Sequence, residues 1–131
     1  MTYSTISIQN LDGTIESVLC IYDGYIKNGV GETLLNNYKT RESVLALIDG
    51  GTIEALCDSI SQDDEESTVF RSSMGEDHVS YWHPSMKDYE KTFIKEPYNY
   101  MFIDGVWFVD RISDGFNRHW ENLEAVLKSL Q

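Results

Sequence analysis

The segment from Tyr98 to Asp110 restricts the fold more than any other. Two runs of aromatic and β-branched residues flank the dipeptide Asp104-Gly105. Asp-Gly supplies the two positive-φ positions that a type I′ turn requires, so the segment reads as a tight β-hairpin. Successive strand residues point to opposite faces, and both faces of this pair are apolar. Tyr98, Tyr100, Trp107 and Val109 therefore suit a dimer surface as readily as a core, and a homodimer is one expected assembly.

A second hairpin is expected from Tyr3 to Tyr22. Ile6 and Ile8 alternate with Ser7 and Gln9, Ile15 is followed by Ser17 and Leu19, and Asp12-Gly13 lies between, with the register centred on Leu11 and Thr14. Asp23-Gly24 breaks the second strand. Val30, Leu34 and Tyr38 then recur at spacings of four, which predicts a short amphipathic helix. Thr40 reads as the N-cap of a second helix, Arg41 to Ile48, with Asp49-Gly50-Gly51 as its stop. Thr52 to Leu56 reads as a further helical turn, with strand left open by its β-branched residues.

Thr68 to Arg71 and His78 to Trp82 read as two more strands, joined by a polar turn from Ser72 to Asp77. Ser85 can cap a helix from Met86 to Ile94 that Pro97 closes. Phe116, Trp120, Leu123, Leu127 and Leu130 predict a C-terminal helix from Phe116 to Leu130. The expectation is an α+β domain with an antiparallel sheet of about six strands built from hairpins, helices packed mainly on one face.

At 131 residues, 41% hydrophobic and 24% charged, the chain suits one globular domain with a packed core and excludes a wholly disordered reading. The formal charge is -12, from 22 acids against 10 bases. That balance repels nucleic-acid phosphates and anionic membranes, so direct binding to either is not expected. No apolar run approaches a membrane span, and the N-terminus carries no export signal. Cys20 and Cys57 are too few for a disulfide scaffold, so both thiols are expected free in a reducing cytoplasm.

The candidate chemistry is sparse. His78, His83 and Asp77 have metal-ligand composition but no convergent spacing, and His119 has no nucleophile or orienting acid beside it. No metal, cofactor or catalytic group is expected. Gly29-Val30-Gly31 before a helix has the form of a phosphate-cradling turn, although it lacks a third glycine and a following Lys-Ser or Lys-Thr. Asp12, Asp23, Asp49, Asp104 and Asp114 each precede glycine and read as turn formers.

Asp58, Asp63, Asp64, Glu65, Glu66, Glu76 and Asp77 fall within twenty residues whose single base is Arg71. Such a run can steer the chain toward a basic protein surface, including one shaped for a nucleic-acid backbone. An alternative is an aromatic pocket for a nucleotide, in which Tyr22, Tyr25, Trp82, Tyr98 or Trp107 stacks on the base beside the glycine loop. Lys27, Lys39, Arg41, Arg71 and Arg111 are its available counter-charges.

Three stretches together resemble a known family. They are Ile6-x-Ile8 with Asp12-Gly13-x-Ile15, then Cys20-Ile21-Tyr22-Asp23-Gly24-Tyr25, then Gly29-Val30-Gly31-x-x-Leu34-Leu35-x-x-Tyr38. This pattern resembles small uncharacterised proteins of tailed bacteriophages, prophages and bacteria, and Tyr98 to Val109 is similar to that family's Tyr-rich strands. The family motif runs Tyr-Cys-His-Trp-Asp-Gly-Tyr-Pro. Here Ile21 and Tyr22 stand for the His-Trp pair and Ile26 for the Pro, while Cys20 keeps its place and Asp23, Gly24 and Tyr25 carry over as the motif, with Gly31 farther on. The resemblance implies a phage or prophage setting and no established activity. It makes the expected function a non-enzymatic inhibitor or modulator of a basic host protein, one acting in defence or on nucleic acids, in the cytoplasm of the infected cell.

Overall fold

A computed structural model describes residues 1–61, 63, 66–93, 96–111 and 119–131. The strands are β1 (Ser4–Gln9), β2 (Ile15–Cys20), β3 (Ile53–Ala55), β4 (Val69–Phe70), β5 (Tyr81–His83), β6 (Tyr98–Ile103), β7 (Val106–Arg111) and β8 (Trp120–Asn122). The helices are α1 (Val30–Asn37), α2 (Arg41–Asp49), α3 (Met86–Thr92) and α4 (Leu123–Ser129). The fold is α+β.

β1 occupies the middle of the sheet because neither of its faces meets water. Ile6 and Ile8 point to one side, Thr5 and Ser7 to the other, and all four are buried. The strand order is β4-β3-β2-β1-β6-β7-β8, with β5 also paired to β2. Most pairings are antiparallel, including both expected hairpins. Two are parallel, β1 with β6 and β2 with β3, so the sheet is mixed and has eight strands against the six expected.

The two Asp-Gly turns differ. Asp104 and Gly105 both take positive φ, as a type I′ turn requires, and Ile103 pairs with Val106. In the first hairpin only Gly13 does. Asp12 Oδ1 accepts from both Thr14 N and Thr14 Oγ1, which forms an Asx turn. Asn10 N then donates to Thr14 O at 2.8 Å, so the loop is longer than expected and the strands join at Gln9 and Ile15.

The helices α1, α2 and α4 cover one face of the sheet. They bury Val30, Leu34, Val44, Leu47, Leu123 and Val126 against Ile6, Ile8, Val18, Tyr100, Phe102 and Val109. The caps follow the sequence closely. Thr40 and Ser43 form a reciprocal capping box for α2, and Ser85 Oγ accepts from Asp88 N at the start of α3. Among the described residues α3 is the helix on the opposite face, where Tyr89 packs on Ile15 and Met101.

Three local expectations are corrected. Residues 53–55 form β3 and not a helical turn, because the end of β2 offers an open ladder at Cys20. β4 and β5 do not form a hairpin: β4 pairs with β3 and β5 with β2. Trp120 lies in β8, paired to Asp110, so the C-terminal helix starts at Leu123, capped by Asn122. The earlier part of that expected helix, residues 116–118, lies outside the described residues, as do Ile94 and the expected turn at Asp114. No described helix is long and apolar enough to cross a membrane.

Candidate functional site

The motif residues Asp23, Gly24, Tyr25 and Gly31 build the connection from β2 into α1. Asp23 and Asn28 both adopt left-handed φ values near 58°. The chain then folds back so that the first free amides of α1 meet carbonyls of its own approach loop. Val30 N donates to Asp23 O, Gly31 N to Tyr25 O and Glu32 N to Ile26 O, at 2.8 to 3.1 Å. A helix N-terminus binds phosphate through these unsatisfied donors, and here they are taken. The Gly29-Val30-Gly31 turn is therefore a brace and not a phosphate cradle. Tyr100 locks it by donating its hydroxyl to Gly24 O at 2.7 Å.

The five candidate aromatics do not gather in one pocket: Tyr22 lines a small cavity with Gly29 and Val30, and Trp107 lines a different one. Tyr25 and Tyr98 meet edge-to-face at 6.1 Å, while Tyr22 lies exposed above the brace loop. Trp82 stands on β5, 61% exposed. Trp107 is in the core and donates its indole N–H to Tyr38 O at 2.8 Å. Three of the expected counter-charges are also engaged elsewhere. Arg71 pairs with Glu54 and Glu76, Arg111 with Glu121, and Arg41 Nη2 donates to Asn10 Oδ1.

The described acidic candidates lie on the loop between β3 and β4 and on the segment that follows β4. Asp58, Asp63, Glu66, Glu76 and Asp77 are all exposed, while Asp64 and Glu65 lie outside the described residues. The loop carrying the first three is closed at its neck. Cys57 N donates to Thr68 Oγ1, Thr68 N to Ser59 O, and Tyr38 Oη to Cys57 O. The Cys57 thiol in that neck has a raised pKa, first through burial and then through the negative charges of Asp58 and Glu66. Farther along, Glu76 accepts from Arg71 Nη1 at 2.7 Å. Between positions 42 and 86 stand ten acids and one base. That base, Arg71, is already shared by two carboxylates, so it leaves the net negative charge of this stretch in place.

Sequence reasoning misses the apolar component of this stretch. Val69, Met74, Tyr81 and Trp82 are exposed within the same stretch, between and beside the acids. Trp82 neither fills a strand core nor faces a ligand pocket, because the alternation of β5 puts it opposite the buried His83.

The histidines diverge. His78 Nε2 bonds to Asp49 O, His119 is exposed, and His83 is buried between the rings of Tyr89 and Phe93 at 5.3 and 5.1 Å. No group of three metal-ligating side chains forms among the described residues. Burial pushes the Cys20 thiol up to about 12, so it stays protonated and cannot serve as a nucleophile at neutral pH.

Burial also lowers the pKa of His83, against a smaller opposing effect of Asp88. The unfolded chain then takes up this proton more readily than the folded one. Stability is expected to fall as pH drops from about 7 to 5.5, through the unfolded histidine value, by at most about 1.4 kcal/mol per unit. Urea titrations at several pH values would show it, and His83→Leu should flatten the slope in that window.

Comparison of the chain with protein-family models, with curated proteins and with solved structures gave no match.

Proposed function

We propose that the protein acts by occupation, docking its β3–β4 margin onto a basic surface of a protein partner without catalysing a reaction. The observation that carries this reading is the ten-to-one excess of acids over bases in the sequence between positions 42 and 86, with exposed Asp58, Asp63, Glu66, Glu76 and Asp77 among them and the sole base, Arg71, already paired. Such a field raises association rates with cationic surfaces. Exposed Met74, Tyr81 and Trp82 of the same stretch of chain supply the aromatic and thioether groups that protein interfaces concentrate at their centres. The resemblance to small phage proteins points to a host defence or nucleic-acid-handling protein as the partner.

The test uses the whole chain, immobilised and offered to a bacterial lysate. Nucleic-acid-binding proteins should be retained, should elute as salt rises and should be displaced by duplex DNA. The variant Asp58→Lys/Asp63→Lys/Glu66→Lys should reduce their capture by about tenfold or more. Equal capture by that variant, or capture insensitive to salt and DNA, would overturn the reading.

A further inference from the structure

A groove of about 460 Å³ runs between the start of β1, the end of β2 and the segment that follows β4. Its walls are fixed by backbone bonds from four parts of the chain. Gly24 N donates to Thr2 O beside Tyr3, Ile21 N to Ile53 O, Arg71 N to Thr52 O and Glu76 N to Arg71 O. Val79 is held against Gly51, where an added Cβ would lie 3.1 Å from Val79 N.

The lining is half polar and half apolar, as a long cationic side chain is. Tyr3, Ile21 and Val79 supply the apolar part, and Tyr3 is 40% exposed, so its ring is open to a ligand. Thr52, Arg71, Glu76 and Asp77 supply the polar part. Arg71 is shared by Glu54 and Glu76. Glu76 meets it through Oε2, which leaves Oε1 to a second donor, and Asp77 is exposed with no partner among the described residues. Three carboxylates against one guanidinium leave the groove two charges negative, so it attracts a second cation and repels an anion despite the arginine in its wall.

We propose that this groove receives an arginine side chain from a basic segment of the protein partner, its alkyl stem lying on Tyr3 and Val79 and its guanidinium on Asp77 and Glu76. The proposal rests on the docking reading above and names the group that is recognised. An arginine covers apolar surface with its stem while its head stays at the polar end, which matches both halves of the lining. Its planar guanidinium suits an aromatic face and the two-point contact of a carboxylate, whereas a lysine ammonium is a compact point charge. A metal ion would leave the apolar wall unused.

The probe is the peptide acetyl-Gly-Gly-Arg-Gly-Gly-amide, with a counterpart in which citrulline replaces arginine and removes only the charge. Titrated into the full chain at about 0.15 M salt, the arginine peptide should shift the amide resonances of Thr52 and Val79 saturably. The citrulline peptide should bind at least about tenfold more weakly, the loss expected for a charge-assisted contact. Asp77→Asn and Tyr3→Ala each alter an exposed side chain and should each weaken the arginine peptide about fivefold. Asp58→Lys/Asp63→Lys/Glu66→Lys changes the total charge far more, yet should leave the affinity within about twofold, because those residues lie outside the groove. The proposal fails if Thr52 and Val79 do not respond, if citrulline matches arginine, or if the triple variant weakens the peptide as much as Asp77→Asn does. Lysate capture that persists without peptide binding overturns the groove alone, while peptide binding without capture keeps the groove and overturns the docking reading.

Discussion

Replacing Tyr89 with alanine is expected to cost about 3–5 kcal/mol of folding stability, the range for deleting a large aromatic from a core. Tyr89 is the one buried residue of α3, and among the described helices α3 is the one on its face of the sheet. Its ring packs within 5.3 to 6.2 Å of His83, Phe93 and Trp120. Beneath the ring, the centre of the sheet is lined with hydroxyls where aliphatic side chains are usual. Thr5 Oγ1 lies 3.1 Å from the Tyr89 hydroxyl, and Ser7 Oγ donates to that hydroxyl at 3.4 Å. Thr5 Oγ1 also donates to Asn99 Oδ1, and Ser7 and Ser17 bond each other at 2.6 Å. Alanine would open a cavity over these groups and remove a partner from two of them. Phenylalanine keeps the ring and removes only the hydroxyl, so its cost should be about 1 kcal/mol, since Thr5 and Ser7 retain other partners. Urea unfolding followed by circular dichroism measures both. If the alanine variant loses less than the phenylalanine value, Tyr89 is not the keystone of that face.

The second large effect is expected at Gly29. A Cβ there would lie 2.5 Å from both Asp23 O and Tyr25 O, inside van der Waals contact with two backbone atoms. Those two carbonyls accept from Val30 and Gly31, so they cannot retreat without uncapping α1. Gly29 has φ of −152°, which any residue can adopt, and the constraint is therefore one of space. Gly29→Ala should cost about 3 kcal/mol or more, at the upper end of ordinary single substitutions. Gly13 provides the contrast. It has φ of +89°, and a methyl group added there would meet nothing within 4 Å, so Gly13→Ala should cost about 1–2 kcal/mol from backbone strain alone. Equal losses in the two variants would refute the close-approach account.

What the sequence makes legible follows the range of the forces involved. Local chemistry is readable: Asp104-Gly105 makes a turn through its own φ preferences, and Thr40 and Ser85 announce the helices they cap. Residues 53–55 and Trp120 escape a local reading because their backbone partners, Cys20 and Asp110, lie outside the stretch that propensity samples. Thr5, Ser7 and Ser17 have the pattern of the wet side of an amphipathic hairpin, yet they are buried because Tyr89 brings a hydroxyl to Thr5 and Ser7, and Ser17 bonds Ser7.

The candidate sites divide in the same way. The acidic run is visible as composition, and the neck that holds it is not, since Thr68 and Tyr38 reach it from other elements. The glycine spacing before α1 is visible, and the carbonyls that occupy its amides are not. Trp107 and Lys39, both candidates for a nucleotide pocket by residue type, meet instead in a cavity made by α1, α4 and the β6–β7 turn.

The parallel pairing of β1 with β6 has a consequence for synthesis. Ser4 must wait for Tyr98 and Ile8 for Phe102, so the central ladder joins distant parts of the chain. A nascent polypeptide emerging from a ribosome can close its first hairpin early, but until residue 102 is exposed one flank of that hairpin stays without its neighbour. High contact order of this kind slows folding and prolongs the interval in which Ile6 and Ile8 depend on chaperone protection.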